Sequence, residues 1–222
     1  MKKIFTIIGL VTLSIATFAQ NSKGKADDAG RISLNAVVPE DMGDMSEKAR
    51  GVLVSKLNKL VTKYGTGGSA VNQRFIITAN ILELEKTVTA TTPAIYEYTL
   101  ECNLYIGDGI EGTLFASTGV ELNGAGKSET QAYLAALKQI KYSSSKYKEF
   151  LDEGKTKIIE YYNANCDIII KKATTLGDQK QYDEAIMILV SIPDICKECY
   201  DKAMDQSTII FKAKLENECQ EN

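Results

Sequence analysis

The chain has 222 residues, 44% of them hydrophobic and 25% charged, the balance of a globular protein rather than of a disordered tail. It has no histidine, which excludes Ser-His-Asp and Cys-His catalysis, His-ligated zinc and histidine-held haem in one step. A net charge of −3, from 26 basic and 29 acidic residues, gives no footprint for a nucleic-acid partner.

Lys2 and Lys3 precede an apolar run over residues 4–18. That run is shorter than the roughly 20 residues that cross a bilayer. Thr17 and Ala19 are small residues suitably placed for a cut before Gln20. The pattern predicts a cleavable secretory signal peptide over 1–19. Its ending, Phe18-Ala19-Gln20, resembles signal peptides of Bacteroidetes-type bacteria. No cysteine sits at the cut to carry a lipid, and no later stretch reads as a transmembrane span. Cleavage would remove Lys2 and Lys3 and deliver an acidic chain to the periplasm or the exterior. ATP is scarce there, and cysteines become disulfide candidates.

Residues 20–29 are small and polar and read as a flexible leader. Ile32, Leu34, Ala36 and Val38 alternate with Ser33, Asn35 and Val37, which predicts a strand ended by Pro39. Asp44 and Glu47 form a helix-start pair. Ala49, Leu53, Leu57, Leu60, Val61 and Tyr64 then follow helical spacing until Gly65, Gly67 and Gly68. Residues 74–90 predict a strand whose apolar phase switches at Ile81 and Leu82, the mark of a bulge. Tyr96, Tyr98, Leu100, Cys102, Leu104 and Ile106 line one face of the next strand. After a turn at Asp108-Gly109, Leu114, Ala116, Thr118, Val120 and Leu122 line a last one. Ser128 to Ile140 predicts an alanine-rich helix. The expected fold class is α+β, an antiparallel sheet with two helices (β-α-β-β-β-α) over residues 30–141, folding independently.

Gly124-Ala125-Gly126-Lys127-Ser128 lies between strand and helix, the context of a phosphate loop. The first glycine of that motif would fall at Glu121, a negative charge where phosphate would approach. Ser128 and Gln131 also form a capping box. A capped strand-to-helix turn is therefore expected, with no nucleotide. A long meander, this Gly-x-Gly-x-Ser turn and the helix bearing Ala132, Ala135 and Ala136 resemble periplasmic domains of the TolB amino-terminal and FlgT type. The resemblance implies a binding or assembly module of the bacterial envelope.

Residues 144–222 predict helices only. Tyr147, Phe150, Leu151, Gly154, Ile158, Tyr161, Tyr162, Ile169, Ala173 and Leu176 keep a 3.6-residue period, with Gly154 a point of interruption. Gly177 and Asp178 end this helix, and Asp178 with Gln181 should cap the next. Tyr182-Asp183-Glu184-Ala185-Ile186, with Leu189 and Pro193 behind, resembles the second helix of a tetratricopeptide repeat. The resemblance implies a TPR-like helical hairpin.

Cys102 falls on an apolar strand face and reads as a buried core residue. The helix over 178–191 descends about 20 Å, which returns the chain to the level of residues 162–166. Cys166 should therefore lie beside Cys196 and Cys199 and bond to one of them, with Cys219 left to the tail. Cys196-Lys197-Glu198-Cys199 opens a helix, the placement of a redox pair, but helices precede it where thioredoxin chemistry needs a βαβ unit.

The whole reads as an exported, non-enzymatic binding or assembly module of the cell envelope. It acts through contacts with a protein partner, self-association included. No catalytic, cofactor or metal residues stand out. The alternatives are a thiol–disulfide oxidoreductase using Cys196 and Cys199, and a carrier for a small apolar ligand.

Overall fold

A computed structural model describes residues 29–40, 42, 45–67 and 74–221. The expected signal peptide, most of the leader, Asp44 and Gly68 lie outside them.

The first strand, β1 (Asn35–Ala36), is two residues long. Ile32 and Leu34 are buried as their alternation implies. The backbone, however, divides its hydrogen bonds between two partners. Leu34 N donates to Thr66 O at 2.7 Å, and Val37 N donates to Ile77 O at 3.0 Å. α1 (Glu47–Lys63) follows, with the Ser46 hydroxyl accepting from Ala49 N. Ala49, Leu53, Leu57, Leu60 and Val61 form its buried stripe.

β2 (Phe75–Val88), β3 (Tyr96–Asp108) and β4 (Leu114–Gly126) make an antiparallel meander in the order β1-β2-β3-β4. The sheet is mixed rather than purely antiparallel. β1 runs parallel to β2 because α1 crosses between them. On β3 the row Tyr98, Leu100, Cys102, Leu104 and Ile106 is buried, as its period of two requires.

The two neighbouring strands depart from expectation at bulges. On β2 the irregularity falls between Glu83 and Glu85, not at Ile81 and Leu82. Leu82 and Leu84 are exposed there, so they form no second core row. On β4, Gly107 faces Leu114 while Ile106 faces Ala116, which leaves Phe115 as the extra residue. Phe115 and Ala116 therefore both enter the core, and Leu114 points out at 59% exposure.

α2 (Glu129–Lys138) starts at Ser128, whose hydroxyl accepts from Gln131 N. α3 (Ser145–Asp178) is a continuous 34-residue helix, about 51 Å long at 1.5 Å per residue. Gly154 does not interrupt it. A Cβ there would sit 2.5 Å from Ile106 Cδ1, so the glycine lets the helix touch the sheet. Tyr147, Phe150, Leu151, Ile158 and Tyr162 are buried along the first part of the same helix. α1, α2 and this part of α3 together supply the helical side of one continuous core.

The rest of α3 packs with α4 (Tyr182–Val190) and α5 (Lys197–Glu221). The expected Asp178 cap is not used. α3 runs through Asp178, and the turn closes with Lys180 N on Gly177 O and Gln181 N on Leu176 O, each at 2.9 Å. Lys180 holds a left-handed φ of 63° where such turns favour glycine. Gln181 precedes α4 without a side-chain cap.

Candidate functional site

The glycine-rich turn is a packing device. A Cβ on Gly124 would lie 2.2 Å from Ala136 N, and one on Gly126 would lie 2.6 Å from Ala132 N. The two glycines and the small Ala132 and Ala136 bring α2 directly onto β4. Gln131 Oε1 accepts from Lys127 N at 3.2 Å, so the return bond of the cap closes one residue before Ser128. Lys127 is exposed.

Cys166 is bonded to Cys199, with Cα atoms 5.6 Å apart. The disulfide ties α3 to the first turn of α5. Cys196 is 1% exposed, and its thiol donates to Ile159 O at 3.5 Å. The Cys-x-x-Cys pair is thus split between a bond to α3 and a contact with the α3 backbone. Cys102 lies fully buried, and burial pushes its thiol up to about 12. Cys219 is exposed near the end of α5.

The sequence reading missed a buried charge cluster. Arg74, just before β2, is 6% exposed and Asp108, at the end of β3, is 2% exposed. Arg74 Nε donates to Asp108 Oδ2 at 2.7 Å, and Arg74 Nη2 donates to Glu111 Oε1 at 2.7 Å. Arg74 Nη1 also donates to Ser191 O, just after α4. Tyr162 of α3 donates to Asp108 Oδ2 at 2.9 Å, and Ile110 N and Glu111 N donate to Asp108 Oδ1. Burial opposes the charge on Asp108. The two amides, the guanidinium and the phenol outweigh it and hold the carboxyl below its ordinary range. The cluster joins sheet, α3 and the helical hairpin. Its charges pair internally, so it reads as a structural tie. The one local signal was Asp108, an aspartate two residues before Ile110 whose side chain can turn the backbone.

The surface with unused bonding capacity is the outer edge of β2. Because Ile77 O accepts from Val37 N, just after β1, the N–H and C=O groups of Ile77, Ala79, Ile81 and Glu83 point outward. β1 ends there, and from Thr78 to Val88 no strand among the described residues pairs with that edge. Leu82, Leu84 and Val88 are 46%, 54% and 49% exposed. The other edge differs. Lys146 Nζ donates to Gly119 O and Gln139 Nε2 to Asn123 O, both at 2.6 Å, so side chains occupy two of β4's outward carbonyls.

Beside the β2 edge lies a groove of about 860 Å³ between the starts of α1 and α2. Met42, Met45, Ile81, Tyr98 and Tyr133 give it apolar walls. Glu83, Lys86 and Glu129 line its rim. Lys86 Nζ lies 2.8 Å from Glu129 Oε1 and 5.6 Å from the centre of the Tyr98 ring. Glu129 and then Tyr98 hold this ammonium above its ordinary range. Thr78 Oγ1 is buried at the groove without a hydrogen-bond partner among the described residues. An unpaired strand edge beside side-chain-sized hollows is the geometry that accepts an added strand. Among the described residues, no three His, Cys, Asp or Glu side chains gather to hold a metal.

No protein-family model and no curated protein matches this chain. Among solved structures it is similar to a minor lipoprotein from Acinetobacter baumannii, at 9% identity and a TM-score of 0.36. That likeness covers 57% of this chain and 94% of the other. It is also similar to a candidate lipoprotein from Caulobacter crescentus CB15, at 12% identity and a TM-score of 0.31. There it covers 61% of this chain and 89% of the other.

Proposed function

We propose that this protein is an exported, non-enzymatic binding or assembly module of the bacterial cell envelope, and that it takes an extended segment of a protein partner along the β2 edge. The unpaired edge beside the groove carries this reading. Backbone groups of the edge supply the affinity, and the groove reads the partner's alternate side chains. Export rests on the amino-terminal leader pattern. No described helix is long and apolar enough to cross a membrane. The likeness to TolB amino-terminal and FlgT-type domains, and that of the hairpin to a tetratricopeptide repeat, belong to the same proposal. They rest on the residue patterns above.

The thiol–disulfide alternative needs Cys196 and Cys199 to bond to each other in turn. The bond to Cys166 and the burial of both sulfurs oppose that.

The test is Glu83→Pro. It removes an outward N–H, and proline is tolerated on an edge strand at such a position. Tagged wild-type protein should retain a partner from envelope extract that the variant loses, while both melt alike. Equal retention by the two proteins would overturn the proposal.

A further inference from the structure

The bulge in β2 has a geometric effect on what can pair with the edge. Before it, Ile81 and Glu83 share the groove face, opposite Cys102 and Leu100. After it, Lys86 and Val88 take the same face, opposite Tyr98 and Tyr96. Glu83 and Lys86 are three apart, yet the bulge places them on one face and turns both backbones outward. Leu82 and Thr87 take the other face together, opposite Glu101 and Glu97.

We propose that the strand added to the β2 edge is the same strand of a second copy, antiparallel about a twofold axis, with Glu83 of each copy opposite Lys86 of the other. The inference rests on the strand-addition reading above and names its partner. In this register Ile81 faces Val88, Leu82 faces Thr87, and Leu84 and Glu85 meet at the axis. The pairs Ile81–Val88, Leu82–Thr87 and Glu83–Lys86 each lie on a common face, and the outward groups of Ile81, Glu83, Lys86 and Val88 meet one another. The charges are complementary twice over, once on each side of the axis, with each Lys86 shared between Glu129 of its own copy and Glu83 of the other. A shift of one residue brings Glu83 opposite Glu85 in one direction and Glu85 opposite itself in the other. Such a slip also sets groove-face residues against the opposite face. An isologous contact of this kind closes on itself.

Sedimentation equilibrium of the full exported chain tests it. Wild-type protein should dimerise at micromolar to millimolar concentration. Glu83→Lys creates two like-charged pairs and should weaken the dimer roughly tenfold. Glu83→Lys combined with Lys86→Glu restores both pairs and should recover most of the loss. Register is read separately in a Cys219→Ser background. A mixture of Glu83→Cys and Lys86→Cys proteins should form a disulfide-linked dimer under mild oxidation, and neither variant alone should do so efficiently. A wild-type chain that stays monomeric, a Glu83→Lys variant that dimerises normally, or efficient linkage of Glu83→Cys to itself would each overturn the proposal. A monomer that still loses its captured partner on Glu83→Pro would overturn self-pairing alone and leave the proposed function standing.

Discussion

The Tyr162 hydroxyl and the Arg74 guanidinium converge on one oxygen, Asp108 Oδ2, at 2.9 Å and 2.7 Å. Tyr162→Phe removes one of these donors and leaves the ion pair. It should cost about 1.5 to 3 kcal/mol in denaturant unfolding, the value of a hydrogen bond to a charged group. Asp108→Asn leaves a buried guanidinium short of its partner and should cost more, about 3 to 5 kcal/mol. The pH dependence follows in sign. The folded carboxyl lies below its unfolded value of about 3.9. Its contribution is complete above that value and is lost as pH falls through the folded value. Stability of the wild type should therefore fall steeply below about pH 4, and more steeply than that of Asp108→Asn.

The Cys166–Cys199 bond closes a loop of 33 residues. In the chain-entropy model this stabilises by roughly 3 to 4 kcal/mol. Cys199→Ser should lower the melting point accordingly, and non-reduced peptide mapping should join residues 166 and 199. Alkylation of native protein should modify Cys219 at once, whereas Cys102 and Cys196 should react only after unfolding. A mapped Cys196–Cys199 bond would contradict this assignment and favour redox chemistry.

The glycine turn separates packing from ligand binding. Gly124→Ala pushes a methyl into the α2 backbone, which cannot yield as a side chain would, and should destabilise by about 3 kcal/mol. Ser128→Ala should cost about 1 kcal/mol through the lost cap. Lys127→Ala should stay within about 0.5 kcal/mol of wild type. Saturable ATP binding that disappears in Lys127→Ala would contradict the packing account.

Lys180 occupies a left-handed position that costs an L-residue about 1 kcal/mol. Lys180→Gly should relieve it and raise the unfolding free energy by a similar amount, with no change in association.

Truncation probes the boundary at residues 141–144. A chain ending at Lys141 lacks Phe150, Leu151, Ile158 and Tyr162, all buried against the rest. It should be molten and aggregate, whereas one ending at Asn165 should keep a cooperative melt. A well-folded, monomeric fragment ending at Lys141 would show the sheet's own two helices to be sufficient cover.

β3 was legible residue by residue because it is unbulged and buried on one face only. Phe115 was not, since a bulge converts a period of two into two adjacent core residues, and alternation alone chose Leu114. Ile32 and Leu34 announced their burial but not the division of their backbone bonds between two partners. Gly177 and Asp178 stand at the end of α3 as expected. Gly154 looked like a helix breaker and instead meets Ile106, a contact only the fold can reveal. The charge cluster joins residues 34 and 54 positions apart, and no local pattern encodes such a meeting. Helical depth matching placed Cys166 beside both Cys196 and Cys199, and could not choose between two sulfurs one turn apart.

The side chains of Lys146 and Gln139 on β4 have a consequence for growth. A sheet with two bare edges can recruit a neighbour on each side and hand on its own far edge, which is how filaments begin. Here two outward carbonyls of one flank, Gly119 O and Asn123 O, are already taken by side chains from α3 and the end of α2. A strand pairing with β4 would first have to displace both bonds, so the two edges of the sheet are not equivalent. Repeated edge-to-edge pairing is therefore disfavoured on the β4 side, where a neighbour competes with the molecule's own side chains.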